Sequence, residues 1–110
     1  MRELHTFTSD QMLAQLEERQ DAYTDAKRDH DQAEQILKSL YASRYLAIKA
    51  ALKCSVEDAK QTALDDSQYV EQWKLTLNRG WEMERARNAL ERVRTAIELW
   101  RSEAATRRMV

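Results

Sequence analysis

The residues best suited to metal chemistry are a histidine and a carboxylate one helical turn apart. His30 and Glu34 share a helix face, and Asp29 and Asp31 flank the histidine. A zinc site needs three or four ligands in a defined geometry, and the second histidine, His5, lies far away near the N-terminus. We therefore expect no metal site and no cofactor. We interpret His30 as a tolerated residue on the apolar stripe of its helix, which runs from Leu13 to Leu52.

Paired carboxylates are the other groups that suit acid–base chemistry. They occur at Glu17-Glu18, Glu57-Asp58 and Asp65-Asp66. The last two pairs stand where the start of a helix favours negative charge. The sequence has no nucleophile beside a base and no glycine-rich phosphate loop, and the single cysteine, Cys54, has no histidine nearby in sequence. These observations predict a protein that is not an enzyme.

A basic cluster near the middle of the chain indicates ligand binding. It comprises Arg44, Lys49, Lys53 and Lys60. Lys49 and Lys53 are four residues apart and share a helix face, and Tyr41 and Tyr45 lie close by. Cations beside aromatic rings suit single-stranded nucleic acid, because phosphates meet the cations while bases stack on the rings.

A second basic set lies toward the C-terminus. It comprises Arg85, Arg92, Arg101, Arg107 and Arg108. The alternative interpretation is a solvated helix face stabilised by ion pairs at a spacing of three, such as Glu84–Arg87 and Glu98–Arg101. Residues 1–40 hold five basic and nine acidic side chains, whereas residues 79–110 hold eight arginines and five glutamates. This segregation is typical of head-to-tail association or of an anionic partner at one end.

Helix-forming residues dominate the elements that must position these groups. The 110 residues include no proline and one glycine, Gly80, and 34% of them are charged. Capping residues at Thr8, at Ser55 and in Asp65-Asp66-Ser67 predict helices over 9–52, 56–64 and 67–106. The sequence thus predicts a single all-α domain, an elongated antiparallel helical hairpin or coiled coil with a short central helix.

The last predicted helix carries the most regular apolar pattern. Its apolar residues alternate at steps of three and four: Met83, Ala86, Leu90, Val93, Ile97, Trp100 and Ala104. Upstream, the pattern uses Val70, Trp73 and Leu77, with a shift near Gly80.

A narrow seam of this kind needs a partner helix. We therefore predict a homo-oligomer whose seam comprises Met83, Leu90, Val93, Ile97 and Trp100. Trp81 falls off the seam and is predicted to be an exposed contact or a partner anchor.

The stretch from Tyr45 to the C-terminus resembles small helical proteins of tailed phages, similar to UvsY-type recombination mediators. The resemblance rests on Tyr45-Leu46-Ala47-Ile48-Lys49-Ala50-Ala51-Leu52-Lys53, on Ser55-Val56-Glu57-Asp58-Ala59-Lys60, on Ala86-Arg87-Asn88-Ala89-Leu90-Glu91 and on Ile97-Glu98-Leu99-Trp100-Arg101-Ser102. It implies ring-like oligomers that bind single-stranded DNA and help to load a recombinase. It also implies a DNA contact at Lys49 and Lys53, with Arg44 and Lys60 as neighbours.

The leading functional hypothesis is therefore a non-enzymatic, oligomeric phage protein that binds single-stranded DNA and assists recombinase loading. One alternative is an inhibitor of a host defence or nuclease complex, which would act through its acidic N-terminal helix. A further alternative is a coiled-coil scaffold or assembly protein. The expected partners are further copies of the chain, single-stranded DNA, and a recombinase or host protein. With no signal core and no apolar membrane span, we expect a cytoplasmic protein without a membrane partner.

Overall fold

The computed structural model describes residues 9–52 and 55–109, and the side chains of 9–52 and 55–107. Within these ranges the chain forms three helices and no strand: α1 over Ser9–Leu52, α2 over Val56–Asp65 and α3 over Ser67–Met109. The all-α fold class and the order of a long, a short and a long helix are confirmed. The first helix has the predicted bounds, the second is one residue longer, and the third continues three residues further.

Side-chain caps explain where α2 and α3 begin. The Ser55 hydroxyl accepts a hydrogen bond from the backbone N–H of Asp58 at 3.2 Å. The Asp66 carboxylate accepts from the backbone N–H groups of Gln68 and Tyr69 at 3.1 and 3.2 Å. These bonds satisfy amide groups that have no partner inside the first turn of a helix. The predicted cap at Thr8 lies outside the described residues.

The chain divides into two compact units, and both long helices contribute to each. The terminal unit comprises Met1–Ala26 and Met83–Val110, and the hairpin unit comprises Lys27–Glu82. That the 110 residues form a single domain stays a prediction.

In the terminal unit, the apolar stripe of α3 faces α1 of the same chain. Arg94 donates a hydrogen bond to the Gln20 side chain at 3.2 Å, 74 residues away in sequence. Met12 and Leu16 line a shallow apolar cavity with Ile97 and Trp100, so the two segments run antiparallel. Leu90 is only 2% exposed, and the other stripe residues with described side chains are half-buried. The chain itself therefore covers much of the predicted oligomer seam.

In the hairpin unit, α1 and α3 also run antiparallel, and part of their contact is polar. The Ala33 carbonyl of α1 accepts a hydrogen bond from the Gln72 side chain at 3.3 Å and lies 3.3 Å from the Thr76 hydroxyl. That hydroxyl also donates to the Gln72 carbonyl at 2.8 Å. Thr76 is buried, and Ala33 is 5% exposed. The small side chain of Ala33 leaves its carbonyl accessible to groups from the facing helix.

The predicted seam over the first half of α3 is therefore wrong at Trp73 and Leu77, which are 47% and 39% exposed, whereas Val70 is half-buried. The α3 residues that contact α1 there are Tyr69, Gln72, Thr76 and Gly80. Within the hairpin unit these positions follow one another at steps of three, four and four. Gln72 and Thr76 occupy the seam because both side chains lie within hydrogen-bond distance of the Ala33 carbonyl. A search for apolar residues does not detect such a polar contact.

On α1, a similar correction of one residue applies near the N-terminus. Met12 is buried, whereas Leu13, which was assigned to the stripe, is 54% exposed. Leu52, also assigned to the stripe, is exposed at the last position of the helix. His30 does lie on the packing face, as predicted, because its ring stands opposite Gly80.

Candidate functional site

Arg44, a member of the predicted basic cluster, is bound by neighbouring protein groups. Its Nη2 donates a hydrogen bond to the Gln68 side chain. Its Nε lies 3.6 Å from the Asp66 carboxylate and is buried without a hydrogen-bond partner of its own. The guanidinium is thus directed at the start of α3. This geometry fits a bracing role better than a contact with DNA phosphates.

The rest of the cluster is divided between two helices of the hairpin unit. Lys49 is half-buried in the last turn of α1, and Lys60 is exposed on α2. Lys53 lies outside the described residues. Acidic side chains of α2 and its caps stand in the same unit, at Glu57, Asp58, Asp65 and Asp66. The local charge is therefore mixed.

A tyrosine cluster stands next to Arg44. The rings of Tyr41 and Tyr45 are stacked, with centroids 6.5 Å apart and an interplanar angle of 19°. Tyr69 of α3 meets Tyr41 in a tilted arrangement at 5.8 Å. All three residues are half-buried. The structure thus brings aromatic rings and basic residues into the same unit, as the sequence predicted. The contacts of the rings are with one another.

The C-terminal arginines are partly neutralised by glutamates of the same helix. Ion pairs at a spacing of three join Arg87 to Glu84 at 3.6 Å and Arg94 to Glu91 at 3.0 Å. The first of these confirms the predicted pair, and exposed pairs of this kind contribute little to stability. Arg85, Arg92, Arg101 and Arg107 are exposed, and the Arg108 side chain lies outside the described residues.

The segregation of charge along the sequence is compensated within the terminal unit. Residues 9–26 carry five carboxylates and one arginine, and residues 83–107 carry six arginines and four glutamates. Because these segments belong to one unit and run antiparallel, the acidic segment lies beside the basic one. The arginine-rich segment is therefore not an isolated polycation.

His30 stands between two carboxylates. Its Nε2 lies 3.3 Å from Glu34, and its Nδ1 lies 3.8 Å from Asp31. One donor atom from each residue falls within 4.8 Å of the others. The carboxylates nevertheless approach opposite ring nitrogens, which suits ion pairing with the imidazole better than a single ion held by all three.

An apolar row on α3 points away from α1. It comprises Trp73, Leu77 and Trp81, and we call it the tryptophan row. These side chains are 47%, 39% and 60% exposed, respectively. A spacing of four places the three residues along one ridge of the helix. The exposure of Trp81 agrees with the prediction from sequence, whereas Trp73 and Leu77 were assigned to the buried seam. Extending the three-and-four spacing back from Met83 would have placed all three outside.

Neither long helix contains a stretch that is apolar enough to cross a membrane within residues 9–52 and 55–109.

In comparisons with known proteins, no family model, no curated protein and no solved structure matches this chain. The function of the candidate site is therefore inferred from its geometry.

Proposed function

We propose that this chain is a non-enzymatic helical protein that assembles into oligomers, binds single-stranded DNA and assists recombinase loading. The observation that carries the proposal is its large accessible surface. The 13.0 kDa chain exposes 8529 Å², whereas a compact monomer of that mass exposes about 6,300 Å².

The apolar interior of the single chain is correspondingly small. Among the described residues, the buried apolar side chains are Met12, Ala33, Ala59, Ala63 and Leu90. Three of the five are alanines, which bury little area. Since burial of apolar surface supplies most of the stabilisation of a fold, further copies of the chain would contribute what this interior lacks.

The DNA-binding part of the proposal rests on the basic and aromatic groups of the hairpin unit. Lys49 and Lys60 supply cations in the same unit as the tyrosine cluster, and these groups are suited to phosphates and unstacked bases. A single chain offers few phosphate contacts. An oligomer repeats the same weak site, and linked sites gain affinity without any new contact. Assembly and DNA binding are therefore coupled in this proposal.

A salt series with labelled single-stranded DNA tests this coupling. We expect affinity to fall steeply with salt, with a logarithmic slope of roughly −0.7 for each phosphate contact. The double change Lys49→Ala and Lys60→Ala should reduce both the affinity and the slope, because cations that release counterions are lost. The measurement is fluorescence anisotropy, with solution mass determined on the same samples.

The matched control is Lys38→Ala, which removes an exposed lysine of α1 outside the basic cluster. It should leave the slope nearly unchanged. If the unmutated protein shows no binding at low salt, the proposed DNA function is refuted. If the control and the double variant lose affinity equally, binding is diffuse and the assignment to Lys49 and Lys60 is wrong.

A second candidate function, protein–protein inhibition of a host complex, is favoured by the exposed tryptophan row. Tryptophan is enriched at the centres of protein interfaces. A pull-down from host lysate, with and without nuclease treatment, separates the two candidates. Capture of one host protein that survives nuclease and is lost in Trp81→Ala would support inhibition. A chain that assembles but captures neither DNA nor protein would instead support the scaffold hypothesis.

A further inference from the structure

We infer that the tryptophan row is a self-association surface on which a second copy of this chain packs about a two-fold axis at Leu77. The inference rests on the oligomeric part of the proposed function and assigns a surface to it. It also relocates the oligomer contact, because the seam predicted at Met83, Leu90, Val93, Ile97 and Trp100 is half-buried or buried within one chain.

The row is symmetric about Leu77 along α3. Trp73 and Trp81 each stand four residues from Leu77, so the pattern reads the same in both directions along α3. In a two-fold contact the same patch is used by both copies. Antiparallel packing about Leu77 would bring Leu77 against its own counterpart and Trp73 against the partner's Trp81. Rows at a spacing of four on both helices can also interdigitate as ridges and grooves.

The exposed area of the row supplies part of what a contact between copies needs. A buried aromatic side chain of this size removes about 150–250 Å² from water. At 47% and 60% exposure the two tryptophans, with Leu77 between them, offer on the order of 250 Å² of apolar surface. A standard interface buries about 800 Å² on each partner, with an apolar centre inside a polar rim. The row would therefore supply about a third of one partner's share, and the polar residues around it would supply the rest.

The exposed leucines Leu46 and Leu99 do not form a comparable surface. Leu46 and Leu99 are 65% and 58% exposed. At a spacing of four, Leu46 is flanked by Ala42 and Ala50, and Leu99 by Thr95 and Glu103. Isolated exposed leucines are normal on proteins, whereas a contiguous aromatic row is typical of a contact surface.

A second copy of the chain is the partner that fits the row. The row reads the same in both directions along α3, so an identical row on a second copy is its complement about a two-fold axis. The formal net charge of −1 also leaves little overall repulsion between copies.

The test introduces a charge at the proposed axis. In Leu77→Glu, two glutamates would face each other across the contact, so the dissociation constant of the assembly should rise by at least about tenfold. The matched control is Leu46→Glu, which charges another exposed leucine of the hairpin unit. It should assemble like the unmutated protein. Sedimentation velocity over a concentration series provides the measurement, and circular dichroism verifies that both variants keep their helices.

A charge-rescue experiment is specific to the two-fold axis. Leu77→Lys alone should also be impaired, for the same reason as Leu77→Glu. An equimolar mixture of the two variants should recover assembly, because residue 77 of one copy then meets the opposite charge on its partner. If Leu77→Glu loses helix content, Trp81→Ala replaces it. Trp81→Ala removes the most exposed side chain of the row and should weaken assembly without a change in helicity.

The outcomes separate this inference from the proposed function. A monomeric unmutated protein at every concentration overturns both. Assembly that withstands Leu77→Glu and Trp81→Ala overturns the surface assignment alone. Impaired single variants whose mixture does not recover overturn the two-fold axis. Normal assembly and rescue without any DNA binding support this inference and refute the DNA part of the proposed function.

Discussion

At the scale of single residues, Asp66 organises the junction of the three helices in the hairpin unit. Its carboxylate accepts from two backbone amides at the start of α3. Its own N–H donates to the Ala63 carbonyl at 3.3 Å and so closes the end of α2. The same carboxylate lies 3.6 Å from Arg44 of α1. One side chain therefore both caps a helix and neutralises a partly buried cation.

Two substitutions at Asp66 separate these roles. Asp66→Ala removes the cap and the charge, so the free energy of unfolding should fall by about 1–2 kcal/mol. Asp66→Asn keeps a good capping residue and loses only the charge, so it should cost less than about 1 kcal/mol. Urea unfolding at a fixed protein concentration measures both values. Equal losses in the two variants would show that the ion pair, and not the cap, is the important contribution.

The basic cluster shows what the sequence could not provide at this scale. The types and spacing of Arg44, Lys49 and Tyr41 correctly indicated that cations and rings lie in the same region. They did not show that Asp66 and Gln68, more than twenty residues away in sequence, contact the Arg44 guanidinium. These contacts depend on how α3 packs against α1, and the spacing of residues along the sequence does not indicate that packing.

At the scale of elements, the capping residues predicted where α2 and α3 begin. Ser55 begins α2 and Asp66 begins α3, because both side chains reach backbone amides that the helix leaves unpaired. The face of a helix proved harder to predict. Gln72 and Thr76 pack against Ala33 although both are polar, and Trp73 and Leu77 are exposed although both are apolar. Hydrophobic periodicity fails where a buried carbonyl recruits polar partners.

The contact between α1 and α3 at Gly80 gives a second stability prediction. A Cβ atom added there would lie 3.5 Å from the His30 ring, which is an ordinary van der Waals distance. Because glycine costs about 1 kcal/mol relative to alanine inside a helix, Gly80→Ala should stabilise the chain by about 0.5–1 kcal/mol. Thermal and urea unfolding provide the measurement. Asn78→Ala, at an exposed position of the same helix, is the control for helix propensity alone.

The sign of the Gly80 result distinguishes two reasons for the glycine. Stabilisation would show that the His30 contact tolerates a methyl group and that the glycine is not required by packing. Destabilisation, together with a gain in Asn78→Ala, would show that the helices approach more closely at His30 than 3.5 Å implies.

At the scale of the whole molecule, the composition indicated assembly through its many alanines and few large apolar residues. Within one chain the buried apolar interior is small and the accessible surface is 8529 Å², and assembly itself stays a prediction. Composition did not reveal which face is left uncovered. The stripe from Met83 to Ala104 looked like the natural oligomer seam, yet much of it packs against α1 within the terminal unit. The sequence pattern placed Trp73 and Leu77 in the seam, so it predicted exposure only for Trp81 of the tryptophan row.

Charge at this scale bears on DNA binding. The arginine-rich end of α3 packs beside the acidic start of α1, so its positive charge is compensated within the terminal unit. Strong binding by one chain is therefore not expected. The proposed function requires several copies, each of which contributes a few cations to one strand.

The most direct test of this account is sedimentation velocity of the protein together with a fluorescent single-stranded DNA at low salt. The account predicts that the DNA sediments with a species containing at least two copies of the 13.0 kDa chain. It also predicts that Leu77→Glu releases the DNA as the assembly dissociates, because each chain alone binds weakly. DNA that remains free while the protein sediments as a single 13.0 kDa chain at every concentration would contradict the account.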